Sequence, residues 1–127
     1  MQQTGRAIAV SNDGGVTFGP VQYDPTLISP VCQGSIVSFG GKTYFSNPAD
    51  TKARDHTTIR RSSDNAQTWE ASLLIQEGSS AGYTCLVKGE LDAEGSGVGG
   101  ILYESTATGS IAFKRFDLNF TDSEQEL

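Results

Sequence analysis

SNDGGVTF at Ser11–Phe18 and SSDNAQTW at Ser62–Trp69 are two copies of one eight-residue pattern. Each reads Ser, any residue, Asp, any, small, any, Thr, aromatic, and their first residues stand 51 positions apart. That period is about the length of one β-propeller blade and predicts a repeat architecture. The fixed positions are Ser11, Asp13, Gly15, Thr17 and Phe18 in one copy and Ser62, Asp64, Ala66, Thr68 and Trp69 in the other. Asp13 and Asp64 can accept bonds from the amides of their own turns, and Gly15 or Ala66 permits a tight bend. Phe18 and Trp69 are expected to plug the seams between sheets. This chemistry builds a hairpin corner, so both aspartates are read as structural.

A chain of 127 residues buries roughly two-thirds of the surface that its unfolded form exposes, which limits it to one domain. Fifteen Gly against four Pro, with 19% charged residues, suits a turn-rich β protein rather than a disordered one. A net charge of −6 argues against a nucleic-acid backbone or an anionic membrane as partner, because no Lys/Arg stripe runs beyond short pairs such as Arg60–Arg61, read here as surface residues. No run approaches the roughly 20 apolar residues of a spanning helix, and MQQTGRAIAV lacks the apolar core of a signal peptide. Cys32 and Cys85 have no metal-like spacing and are expected as free buried thiols. His56 is the single histidine and reads as a surface or hydrogen-bonding residue, so no metal site is expected. Asn119–Thr121 has the form of an N-glycosylation acceptor, a triplet that also arises by chance.

Short β-rich runs separated by turn signals recur along the chain: Arg6–Val10, Ser35–Phe39, Lys42–Phe45, Thr57–Arg61, Leu73–Ile75, Thr84–Val87, Gly99–Tyr103 and Ser110–Leu118. No stretch of helical length has a 3.6-residue period. Gly40–Gly41 marks a hairpin, and the second Asp pattern closes the turn before Leu73. The fold class is therefore all-β. Four antiparallel strands from Ser35 to Ile75 form a complete blade, two strands joined by the first Asp pattern precede it, and three follow. Glu90–Gly99 is a polar glycine-rich loop; residues 1–120 form the propeller part and residues 121–127 an acidic tail expected to fray. A propeller closes with at least four blades, so about two blades read as part of something larger.

The segments FSNPADTKARDHTTIRRSSDNAQTW, EGSSAGYTCL, GILYES and SIAFKRFDL, in this order and spacing, resemble the C-terminal third of exo-α-sialidases, most closely the animal lysosomal type. The likeness runs from about Arg6 to Phe120 and implies part of a six-bladed propeller. It also implies hydrolysis of terminal sialic acid from glycoproteins, oligosaccharides or gangliosides, with no cofactor. A lysosomal or membrane-associated setting follows from the resemblance alone.

By chemistry alone Arg54 reads as a solvated loop arginine. The resemblance places it as the third of three arginines that grip the sialic acid carboxylate, a task suited to the planar two-pronged guanidinium. Tyr83 would otherwise be a packing residue with a wetted hydroxyl. It matches the family's catalytic tyrosine. The substrate carries a carboxylate on its reacting carbon, which repels an anionic nucleophile, whereas a neutral phenol escapes that repulsion and needs a neighbouring carboxylate to take its proton. Glu104 could be an edge-strand glutamate facing water; by resemblance it orients an arginine of the triad.

The resemblance assigns two further arginines, the aspartate acid/base and the glutamate partner of the tyrosine to segments upstream of Met1. Arg6 matches an ordinary strand arginine and is not one of them. The chain alone is expected to be inactive. A rival reading from another class stays open: a non-catalytic propeller remnant that binds sialoglycans, or a piece that pairs with other protein chains through open blade edges.

Overall fold

The computed structural model describes residues 5–122, and among them there are nine strands in three antiparallel sheets and no α-helix. The first sheet pairs β1 (Arg6–Ile8) with β2 (Gln22–Asp24). The second is the meander β3 (Ser35–Phe39), β4 (Lys42–Pro48), β5 (Thr57–Ser62) and β6 (Ala71–Gln76). The third is the meander β7 (Thr84–Val87), β8 (Val98–Glu104) and β9 (Ile111–Asp117). The expected pattern of two, four and three strands is observed.

β4 explains how the sheets stack. Alternate residues of a strand face opposite sides, and both sides of β4 are covered, so Thr43–Pro48 are all buried. On one side Tyr44 packs near Phe116 and Phe120, while the Ser46 and Thr84 hydroxyls share a 2.7 Å hydrogen bond. On the other, Phe45 lies against Trp69 and under the Arg6 guanidinium, and Asn47 Nδ2 donates to the Ile28 carbonyl at 2.9 Å. The second sheet thus packs between the first and third. β4 also runs three residues past the expected Phe45, because the Ser46 hydroxyl and Asn47 Nδ2 find partners across the seams, although Asn47 Oδ1 is buried without one.

The core joins the second and third sheets through Tyr44, Ile59, Ile75, Leu86, Ile101 and Phe116, with Leu118 and Phe120 folded back from the end of β9. Arg61 ties that return down. Its Nη1 donates to the carbonyls of Leu118 at 2.9 Å and Phe120 at 2.6 Å, and its guanidinium carbon stands 4.8 Å from the Phe120 ring centre. Only 11% of the side chain is exposed. Arg60 is also largely withdrawn from water, and burial lowers its pKa against the opposing pull of Asp24 and Asp122. The reading of Arg60 and Arg61 as surface residues is thereby corrected: the return segment after β9 covers Arg61, whereas Arg60, on the opposite face of β5 beside Phe45, is withdrawn toward the first sheet and Asp24.

Other expectations need similar correction. Cys32 and Cys85 are free, but Cys85 is exposed because it points away from the second sheet on the uncovered face of β7. Trp69 fills a seam, with Nε1 donating to Asp24 Oδ2 at 2.9 Å, whereas Phe18 is 62% exposed because no described element covers it. The edge of β7 is not open, since Gln33 and Ser35 side chains take its outward amides at Thr84 and Leu86. Asp122, at the start of the acidic tail, accepts from the Ser72 amide at 2.6 Å; residues 123–127 lie outside the described part.

Candidate functional site

Strand direction sorts the connections into two groups. The Asp patterns, the Gly40–Gly41 turn and the loop after β7 lie at one end of the sheets. The connections after β4, β6 and β8 lie at the other.

At the first end each Asp pattern satisfies itself. Asp64 Oδ1 accepts from the Ser62 hydroxyl at 2.7 Å and the Thr68 amide at 2.8 Å, and Oδ2 accepts from the Thr68 hydroxyl at 2.5 Å. Asp13 repeats these bonds with Ser11 and Thr17 at 2.8, 2.9 and 2.5 Å. Bonds to the ionised carboxylate, the Thr hydroxyl foremost, pull both aspartates down to about 2. A carboxylate so committed is a poor proton carrier near neutral pH. The turns differ at their bend, where Gly14 and Gly15 have φ of 73° and 91° but Asn65 and Ala66 are held at 60° and 65°.

At the opposite end Arg54 and Tyr83, from the connections after β4 and β6, come together with Glu104 at the end of β8. Arg54 Nη1 donates to the Ala81 carbonyl at 2.7 Å, and its guanidinium carbon lies 5.7 Å from the Tyr83 ring centre. The Ser80 amide returns a 2.9 Å bond to the Arg54 carbonyl. Gly82 allows this close passage: a Cβ there would stand 2.8 Å from Cys32 Sγ and 2.9 Å from Arg54 Cδ, at a φ of 101°. Glu104 Oε2 accepts from the Tyr83 amide at 2.8 Å, and the Glu104 amide donates to the Tyr83 carbonyl at 3.0 Å. The bond Glu104 makes here is therefore to the tyrosine's backbone.

Tyr83 itself is 52% exposed and edges a cavity of about 300 Å³ lined by Gln33, Thr84, Leu102, Tyr103, Glu104 and Ile111. Beside the site His56 Nδ1 lies 3.1 Å from Asp55 Oδ1 and 3.8 Å from Asp50 Oδ2, in the loop that carries Arg54. Among the described residues no three His, Cys, Asp or Glu side chains cluster as metal ligands, and no helix is long and apolar enough to cross a membrane. Sequence reasoning missed Gln33, whose amide holds Thr84 from 51 residues away. No spacing rule marks a lone Gln as the partner of a distant strand edge.

Stacked antiparallel sheets of four or fewer strands, with polar residues converging at one end, have the layout of β-propeller blades. Comparison with known proteins narrows that class. The chain is 38% identical over 123 residues to a sialidase of Micromonospora viridifaciens, covering 89% of this chain and 18% of that protein. It is 38% identical over 112 residues to a sialidase of Bacteroides fragilis (strain YCH46), covering 80% of this chain and 20% of that protein. Among solved structures it is similar to the Hadza microbial sialidase Hz136, with a TM-score of 0.76 and 34% identity over 91% of this chain and 23% of that one. No family model matches the chain. The chain spans about a fifth of the length of the curated relatives it matches. These likenesses support the sialidase family.

Proposed function

We propose that the chain supplies the C-terminal part of a retaining exo-α-sialidase of six-bladed propeller fold that removes terminal sialic acid from glycoconjugates. The observation that carries this reading is the convergence of Arg54, Tyr83 and Glu104 at one end of the sheets. The relatives named above are bacterial, so the proposal is to the family at large and leaves the lysosomal setting as an implication of sequence resemblance.

In the proposed reaction Arg54 pairs with the substrate carboxylate, and two parallel hydrogen bonds fix the sugar's orientation. The Tyr83 oxygen then bonds to the anomeric carbon as the glycosidic C–O bond breaks. Its phenolic proton passes to a carboxylate, and the leaving oxygen takes a proton from a general acid. Water next gives a proton to the former acid and attacks the anomeric carbon, the bond to the Tyr83 oxygen breaks, and the carboxylate returns its proton to restore the phenol as sialic acid is released. The resemblance puts the acid, the proton-accepting carboxylate and the other two arginines outside this chain. The chain alone should accordingly show no turnover.

The test restores those groups by exchanging this chain for the matching segment of the M. viridifaciens sialidase. The folded chimera should release a fluorogenic sialoside, and a fluorinated sialoside trap should leave its sugar on the peptide containing Tyr83. Tyr83→Phe deletes the nucleophilic oxygen while keeping the ring, so turnover should fall at least about 1,000-fold with substrate binding nearly preserved. A folded chimera that binds sialosides without turnover would favour the non-catalytic reading. An adduct on another residue would sink the assignment of Tyr83.

A further inference from the structure

Gln33 stands just before β3, in the sequence Val31-Cys32-Gln33-Gly34, and reaches the first residue of β7 with both ends of its side-chain amide. Its Nε2 donates to the Thr84 carbonyl at 2.9 Å, and its Oε1 accepts from the Thr84 amide at 3.0 Å. These are the two bonds that a residue of a neighbouring antiparallel strand would make. β7 is an edge strand, and Gln33 substitutes for the strand that is absent beside it.

The consequence falls on Tyr83. The peptide plane between Tyr83 and Thr84 contains the Tyr83 carbonyl and the Thr84 amide. Glu104 N–H holds the carbonyl from one side, and Gln33 Oε1 holds the amide from the other. The preceding peptide is fixed as well, since the Tyr83 amide donates to the Glu104 carboxylate. With its backbone gripped on both flanks, Tyr83 can be half-exposed and still keep one orientation. A reacting group must be held to within about 0.5 Å, and a 1 Å misplacement can cost about 100-fold in rate.

We infer that Gln33 is a positioning residue for Tyr83: its amide clamps Thr84 and thereby sets the direction of the phenol toward the anomeric carbon. The inference rests on the proposed role of Tyr83 as nucleophile. A residue acting this way lowers the rate of the chemical step without weakening substrate binding.

The test uses Gln33→Met, which keeps the length and loses both bonds, and Gln33→Glu, which keeps the acceptor for the Thr84 amide and loses the donor to its carbonyl. In the chain itself, Thr84 amide hydrogen exchange followed by NMR should quicken about 10-fold or more in Gln33→Met and less in Gln33→Glu. In the chimera, Gln33→Met should lower kcat and the rate of covalent trapping by about 10–100-fold, with KM within about 3-fold of the parent. Gln33→Glu should fall between the two. A raised KM at unchanged kcat would overturn the inference by showing that Gln33 touches substrate instead. Unchanged Thr84 exchange in a folded Gln33→Met chain would overturn it by showing that no clamp exists. If the parent chimera is trapped at a residue other than Tyr83, the proposed function fails, and the exchange arm still decides whether Gln33 fixes this strand edge.

Discussion

The two ends of the sheets are held by different kinds of bond. In the Asp turns, the bonds made by the pattern's own Ser, Asp and Thr side chains join residues two to four positions apart. At the end bearing Arg54 and Tyr83 the corresponding separations are 21, 27 and 51 residues. A turn that supplies its own partners forms wherever the chain carries the pattern. A site built from distant segments exists only once the sheets have stacked, because loop closure must precede the contacts that offset it. Stability within the Asp turns is local, and geometry around Tyr83 is collective, as is the Arg61 tie beside the second Asp turn.

Three substitutions probe that difference, from the largest expected effect to the smallest. Gly82→Ala strikes the collective end, forcing a side chain into a left-handed backbone and against Cys32 and Arg54. It should destabilise the chain by about 1–3 kcal/mol in urea unfolding and, in the chimera, raise KM as Arg54 is displaced. A small stability loss with unaltered KM would show that Arg54 is not held by this contact.

Asp64→Asn strikes the local end. It should lower Tm by a few degrees and leave chimera kcat and KM unchanged, because the turn lies at the far end of the sheets. The same carboxylate gives a pH signature. Its folded pKa is about 2, below the ordinary 3.8, so its stabilisation is complete above the ordinary value and is lost as pH falls through 2. Acid unfolding of Asp64→Asn should show a shallower dependence across that window than the parent. A loss of kcat at unchanged Tm would break the contrast between the ends.

Ala66→Gly is the smallest effect and the only gain. Relieving a left-handed alanine at φ 65° should stabilise the chain by about 0.5–1 kcal/mol in the same urea assay. Equal stability of parent and variant would mean that the bend relaxes without strain.

What the sequence disclosed follows the same division. The Asp patterns state their own chemistry within eight residues, and β3 and β7 span the residues expected of them. β2 was not located, because its three residues Gln22–Asp24 carry no alternation long enough to stand out. β4 and β6 run longer than the sequence pattern indicates for a related reason: Ser46, Asn47 and Gln76 look like loop residues until their cross-sheet partners Thr84, Ile28 and Ser105 are in place. The burial of Arg61 is invisible in the sequence because a strand arginine gives no sign that carbonyls from a segment 57 and 59 residues away will meet it. Arg54, Tyr83 and Glu104 stand as site candidates by resemblance alone; periodicity and spacing read them as surface residues.

The Arg61 tie also fixes how the molecule would carry load. The segment after β9 passes its carbonyls to a guanidinium rooted in the second sheet, so tension on that segment enters β5 before it reaches β9. β9 is the outermost strand of its sheet and would otherwise peel away one bond at a time. With the anchor in place, peeling must begin by drawing a nearly dry guanidinium off two carbonyls and an aromatic face at once. The third sheet is thus latched from behind, and the latch sits at the opposite end of the sheets from Tyr83.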